Sequence, residues 1–239
     1  MERMRLDKFL ATYTSLSRKD AKKTIRQGVV VIDGTVVKSE TEKVSLEQDV
    51  FLYGERIHAK QHIYLMFNKP QGVLSATKDQ QEKTVLDFVT DVNRELFPVG
   101  RLDKDTEGFL LLTDDGELAH RLLSPAYHVA KTYYLEYTGT LVEDAIQRVA
   151  DGIEIGEKNP TRPAVLHLLE SGKAELTITE GKFHQVKRMI AALGGKVIFL
   201  KRIAMAGIML DSNLALGEYR ELTSEELILL HESTKERKR

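Results

Sequence analysis

Beyond residue 60 the chain moves repeatedly between β-rich and helical segments, without the regular strand–helix–strand rhythm that builds a doubly wound parallel sheet. IYLMFNKP starts a strand, VLDFV reads as helical, and FLLLT is a short buried strand. DDGELAHRLL carries acids at its front, where a helix N-terminus favours them. KTYYLEYTG and AELTITEG have strand character. TLVEDAIQRVADG opens with a capping box from Thr140 to Glu143 and closes at Gly152. HQVKRMIAALGG is a helix stopped by Gly194 or Gly195. This mixture specifies an α+β sheet domain.

The front of the chain is different. Residues 5–28 predict two short helices, with Leu6, Phe9 and Leu10 as a small apolar face, Ser17 as an N-cap and Gly28 as a stop. VVVIDGTVV is two β-rich runs about a DG turn, a hairpin signal. VFLYGERI adds one more strand, and HAKQH reads as a linker. The expected division is a first domain over 1–59, a second over 60–232 and a frayed tail, 233–239, ending in KERKR.

The formal net charge of −1 means that no whole-molecule field draws this chain to nucleic acid, so attraction must come from local patches. One lies at the front: Arg3, Arg5, Lys8, Arg18, Lys19, Lys22, Lys23 and Arg26 outnumber Glu2, Asp7 and Asp20. A charge run is ordinarily a solvated helix face. On a compact helix pair followed by a hairpin it points instead to phosphate. The absence of cysteine excludes disulfides, thiolate zinc sites and a cysteine nucleophile. Met1–Lys8 is charged with no apolar h-region after it, and no apolar run approaches a membrane span. The expectation is a cytoplasmic protein with no membrane partner.

A knot of acids stands out in VGRLDKDTEGFLLLTDDG: Asp103, Asp105, Glu107, Asp114, Asp115 and Glu117. DKDTEG matches the opening of a calcium loop, but its twelfth position is Asp114 rather than Glu, and FPVGRL before it is no helix. Asp-x-Asp-x-Thr also occurs where an aspartate attacks phosphate, which requires a buried strand before the first Asp and a magnesium site. Phe97–Leu102 is too short and broken for that strand. The remaining unit is Gly-Arg-Leu-Asp. Gly100 permits an unusual backbone, Arg101 is a fixed cation close by, and Asp103 precedes a strand that can hold it. A surface loop rich in acids is the plain alternative.

GRLDKDTEGFLLLTDDGELAHRLLSP resembles the signature motif of the Rsu/Rlu group of pseudouridine synthases. RLDKFLATYTSLSRKDAKKTIRQGVVVIDGTVV resembles the S4 RNA-binding domain that this family carries in front. FNKPQGVLSAT, KTYYLEY and EGKFHQVKRMIAALG resemble further motifs of the family, in order and at family spacing, so the likeness runs almost end to end. It implies a small N-terminal S4 (αL-type RNA-binding) domain, then a catalytic domain with a mixed, largely antiparallel sheet and a central cleft.

The resemblance also implies chemistry. The family nucleophile maps onto Asp103, and the family's Arg or Lys that pairs with it maps onto Lys187. Lysine there keeps the charge and loses the bidentate fork. Val186, Met189, Ile190 and Leu193 form an apolar stripe, with His184, Lys187 and Arg188 opposite. Tyr133 matches the tyrosine that stacks on the flipped base, although alternation with Leu135 and Tyr137 makes core packing a rival reading. Leu200 matches a hydrophobic residue near the nucleophile, and Arg101 joins the catalytic set. Arg188 is assigned to phosphate, with Arg5, Lys8, Arg18, Lys19, Lys22, Lys23 and Arg26. His120, His128 and His184 carry no catalytic assignment.

No metal or cofactor is implied, because the isomerisation oxidises nothing and loses no group. KTY and HQVKRM are closer to the small-subunit members, which implies 16S rRNA at the uridine numbered 516 in the reference numbering. The expected partner is an assembly intermediate of the small subunit, met by a monomer. The alternatives are a large-subunit (23S) synthase and a non-catalytic S4-type assembly factor.

Overall fold

In the computed structural model, which describes residues 3–57 and 59–235, the chain divides into two units. One is Met1–Ile63 with Thr90–Glu95, and the other is Tyr64–Val89 with Leu96–Arg239.

The first unit contains β1 (Met4–Arg5), α1 (Leu6–Tyr13), α2 (Arg18–Arg26), β2 (Val30–Ile32), β3 (Thr35–Val37), β4 (Lys43–Val44), β5 (Val50–Leu52) and β6 (Glu55–Arg56). Ser17 caps α2 by accepting the Asp20 N–H at 3.1 Å, and Gly28 at φ +74° ends it. Asp33 and Gly34 take φ of 48° and 80°, the two left-handed positions of a tight hairpin turn, and β2 pairs with β3 across them. VFLYGERI is not one strand but a second hairpin, β5–β6, turning at Tyr53 and Gly54. The pairing of β5 with β2 decides this, because it leaves the other edge of β5 for β6. Leu6, Phe9, Leu10, Ile25 and Val30 form a shared core beneath the helices.

The unit boundary also departs from expectation. The cut falls after Ile63, and the Thr90–Glu95 segment returns to the first unit. Arg94 explains the return: its guanidinium donates to the carbonyls of Lys60 (2.9 Å) and Gln61 (2.7 Å) and lies over the Tyr13 ring.

The second unit contains β7 (Tyr64–Lys69), β8 (Phe97–Pro98), β9 (Glu107–Thr113), α3 (Gly116–Leu123), β10 (Lys131–Gly139) and α4 (Ala145–Asp151). It continues with β11 (Val165–Leu168), β12 (Lys173–Ile178), α5 (Gln185–Ala192), β13 (Gly195–Met205), β14 (Ile208–Met209), β15 (Tyr219–Glu221) and α6 (Ser224–Glu232). A nine-stranded sheet runs β11-β12-β10-β13-β9-β7-β15, with β14 beside β13 and β8 beside β9. Among the described residues β9–β13 is its one parallel pairing, so the sheet is mixed and largely antiparallel. At that join Gly108, φ +100°, faces Arg202, and any Cβ there would overlap the Arg202 backbone. Met66, Phe109, Leu111, Leu118 and Leu122 form the main core, which α3 and α6 help to close.

Three local expectations fail. VLDFV makes only a single 3-10 turn, Val85–Phe88, closed by Thr84 and Asp87. The Thr140–Glu143 capping box does not form, and α4 starts at Ala145. The Val142 N–H is already given to the Leu193 carbonyl, which pins this stretch to the end of α5. The tail begins later than expected, because Ser233 and Thr234 hydrogen-bond back onto α6 and Thr234 is buried; residues 236–239 lie outside the described residues. Among the described residues no helix is long and apolar enough to cross a membrane.

Candidate active site

The GRLD loop joins β8 to β9 and is held by its main chain. Gly100 takes φ +78°, and a Cβ there would press on Leu123. The Ser75 hydroxyl accepts from the Leu102 N–H (3.0 Å) and donates to the Leu102 carbonyl (2.9 Å). Lys69, at the end of β7, is fully buried beneath the loop. Its ammonium donates to the carbonyls of Pro70 (3.0 Å), Asp103 (3.1 Å), Lys104 (3.3 Å) and Thr106 (3.0 Å). Burial pushes the Lys69 pKa down to about 8, against the opposing pull of Asp105, Asp103 and Glu107.

On this platform Asp103 lines a cavity of about 920 Å³. Lys187 comes to it from α5, with Nζ 3.0 Å from Asp103 Oδ2, and also donates to Asp105 Oδ1 at 2.7 Å. Burial disfavours the lysine's charge, but the bonds to Asp105 and Asp103 outweigh it and raise the pKa. The bond from Lys187 in turn holds Asp105 below the usual carboxylate range. Asp103 Oδ1 faces His184 Nε2 at 3.5 Å. The carboxylate therefore has one oxygen beside the lysine and the other beside the imidazole of His184, on the wall of the cavity.

Tyr133 and Leu200 reach the same place from adjacent strands. Tyr133 on β10 is 8% exposed, lines the cavity and pairs in register with Arg202 on β13. A register shift between Thr132 and Tyr133 interrupts the ladder there, a device that re-aims side chains beside sites. Leu200 shares a smaller pocket of about 90 Å³ with Asp103, Tyr133 and Lys187.

Arg101 lines the cavity but is exposed and makes no ion pair with Asp103 among the described residues; the cation beside Asp103 is Lys187, the residue that the resemblance implies. Arg188 is not offered to phosphate. It is bound to Glu157 (2.7 Å) and to the carbonyls of Phe183 (3.0 Å) and Ile155, so its charge serves the loop before α5.

Sequence reasoning missed three buried cations. Lys69 and Lys131 stood inside the motifs FNKP and KTY without a role. Lys131 lines the cavity, and burial, with help from Arg202, lowers its pKa to about 8. Arg202 is 2% exposed, donates from Nε to the Phe109 carbonyl at 2.6 Å, and lies 6.0 Å from the centre of the Tyr133 ring. Strand alternation with Leu200 marked its inward face. The acid knot itself is dispersed: Asp115 caps α3 and accepts from the Tyr64 hydroxyl, while Asp103 and Asp105 turn to Lys187. Among the described residues no three His, Asp or Glu side chains gather to hold a metal ion.

In the first unit Arg5, Arg18 and Lys22 converge on the buried carboxylate of Asp7, at 3.0, 3.7 and 3.9 Å. The Arg5 bonds are the chief reason that the Asp7 pKa is lowered. One carboxylate among three cations leaves the patch positive while fixing its geometry, and Arg5, Arg18, Lys19 and Lys22 line a surface hollow. Lys8, Lys19 and Lys23 are exposed without ion pairs among the described residues, whereas Arg26 is tied to Glu40 at 2.8 Å. If Lys8, Arg18, Lys19, Lys22 and Lys23 each neutralise a phosphate, log affinity for single-stranded RNA falls against log salt with a slope of about −3 to −4. Filter binding across a salt series measures it, and Lys19→Ala should flatten the slope by about 0.7. A slope unaffected by that change would remove Lys19 from the interface.

A family model described as RNA pseudouridylate synthase matches residues 63–192, and one described as S4 domain matches residues 4–50. Over 236 residues the chain is 50% identical to an uncharacterized RNA pseudouridine synthase, YtzG, of Bacillus subtilis, covering 96% of this chain and 99% of that protein. It is 45% identical to the ribosomal small subunit pseudouridine synthase A of Yersinia pestis, covering 94% of this chain and 97% of that one. The protein of that name from Escherichia coli K12 is 44% identical, with 94% and 98% covered. A crystal structure of a pseudouridylate synthase matches with a TM-score of 0.68 at 42% identity, covering 95% of this chain and 99% of that one.

Proposed function

Since the chain belongs to the RNA pseudouridylate synthase family, with an S4 domain ahead of the synthase domain, we propose that it converts uridine 516 of small-subunit 16S rRNA to pseudouridine. The observation that carries the chemistry is the Asp103 carboxylate, 3.0 Å from Lys187, on the wall of a cavity that also presents Tyr133. The RNA assignment is supported by the names of the relatives at 45% and 44% identity.

The reaction breaks C1′–N1, turns the base and joins C5 to C1′, with the C5 hydrogen leaving as a proton and N1 taking one up. A uridine inside folded RNA must first leave its stack. In this reading Asp103 is the nucleophile and Lys187 offsets its charge. Tyr133 offers a face to the loosened uracil, and Leu200 shields the reacting atoms. Arg101, the exposed cation of the cavity wall, meets the RNA strand. The cations around Asp7 capture the RNA backbone. The substrate is a protein-bound assembly intermediate in the cytoplasm. The enzyme works as a monomer.

The test is tritium release from 16S rRNA labelled at uridine C5, with ribosomal proteins bound, followed by mapping of the product. Release accompanied by one pseudouridine at position 516 is the expected result. Release only from 23S rRNA would overturn the substrate, and release from neither RNA would overturn the activity.

A further inference from the structure

Phe183 is the most exposed of the large hydrophobic side chains among the described residues, at 73%, yet it stands at the cavity of the site. Its ring is stacked on His184, with centroids 3.7 Å apart and planes 21° from parallel. His184 is in turn the residue whose Nε2 lies 3.5 Å from Asp103 Oδ1. The order outward from the nucleophile is thus carboxylate, imidazole, phenyl, water.

The backbone under this stack is firmly held. The Phe183 carbonyl accepts from Arg188 and the His184 carbonyl from the Arg188 N–H. Gln185 ties the loop together, accepting from the Lys182 N–H and donating to Glu180. Lys182 donates to the carbonyls of Asn159 and Pro160. His184 itself sits at φ 49°, in the left-handed region. Several hydrogen bonds are therefore committed to holding an aromatic face in water, where it gains nothing from burial.

The separation of the two rings is close to the roughly 3.4 Å rise between successive bases of a strand. The cavity lies near the upper end of the range for small-molecule sites, so it has room beyond a single uracil. Extruding a uridine also leaves its neighbour without a stacking partner. Resting on the reading above, we propose that the outer face of Phe183, backed by His184, is a stacking site for the nucleobase next to the modified uridine. The Arg188 correction fits this: its charge is spent on fixing the platform, not on phosphate. An aromatic face accepts any base, so the site contributes affinity and orientation more than sequence choice.

The experiment uses the full chain and a 16S rRNA fragment spanning uridine 516, with 2-aminopurine placed in turn on its 5′ and 3′ sides. Stacking quenches the fluorophore. Wild type should quench one of the two positions; Phe183→Leu should not, and should bind the fragment roughly 5- to 150-fold more weakly. Phe183→Trp should restore both. Because Phe183 is exposed, thermal melting of Phe183→Leu should match wild type, which separates stacking from folding. Equal quenching by wild type and Phe183→Leu, or none by wild type at either position, overturns the subsite. Tritium release by wild type in parallel reports independently whether the proposed activity stands.

Discussion

Asp103→Asn should abolish turnover while leaving the fold and RNA capture in place. The substitution keeps the size of the side chain and removes its charge. The loop is held through main-chain atoms, by Lys69 beneath it and Ser75 beside it, so its position does not depend on the Asp103 side chain. Lys187 retains Asp105 at 2.7 Å and is not stranded as an unpaired cation. What is lost is the proposed nucleophile, and single-turnover tritium release should fall by about 10⁴-fold or more. Thermal unfolding should shift by no more than about 1 kcal/mol, and filter binding should be unchanged. Persistent turnover would remove Asp103 from the chemistry. Loss of folding or of RNA binding would show that the carboxylate has a structural role instead.

Lys69→Met should lower kcat about 100-fold with little change in KM, the loss expected when a reacting group shifts by about 1 Å. Lys69 is fully buried and cannot touch RNA, yet its ammonium is shared among four carbonyls, three of them in the loop that carries Asp103. Methionine fills the space but donates nothing, so the loop is free to drift. A pH signature accompanies this. Burial lowers the lysine from its ordinary value of 10.5 to about 8 in the folded chain. Between those values the unfolded chain binds more protons than the folded one, so stability rises with pH. Relative to Lys69→Met, wild type should therefore gain up to about 1.4 kcal/mol per pH unit across that window. Lys131 titrates in the same range but is common to both proteins and cancels in the difference. An unchanged kcat would refute the positioning role. A difference flat with pH would refute the buried charge.

The elements most legible from sequence are those whose cause lies within a few residues. The DG turn places two residues at positive φ and forms its hairpin. Ser17 caps α2, Asp115 caps α3, and the apolar stripe of α5 is buried. The grouping of Asp103, Lys187, Tyr133 and Leu200 around one pocket was expected from the family resemblance rather than from any local pattern. The failures have the opposite character. Tyr53 gave no turn signal, because a tyrosine at positive φ is uncommon and is imposed here by the pairing of β5. The Thr140 capping box does not form, and a bond from Val142 to the remote Leu193 holds that stretch. Arg188 looked like a free surface cation, and its partners Glu157 and Ile155 are remote in the chain.

Sequence by itself thus determined the α+β class, the order of most helices and strands, the basic front end and, through its motifs, the family. Those depend on hydrophobic period, turn chemistry and capping, which act between near neighbours in the chain. Tertiary structure alone decided that Arg101 is left exposed on the cavity wall, that Lys69 lies buried under the loop, and that Phe183 is left in water beside it. Charge and aromatic faces carry no information about partners until folding brings them into contact. Lys187 meets a carboxylate 82 residues away and Lys69 a carbonyl 37 residues away, distances over which no local pattern reports.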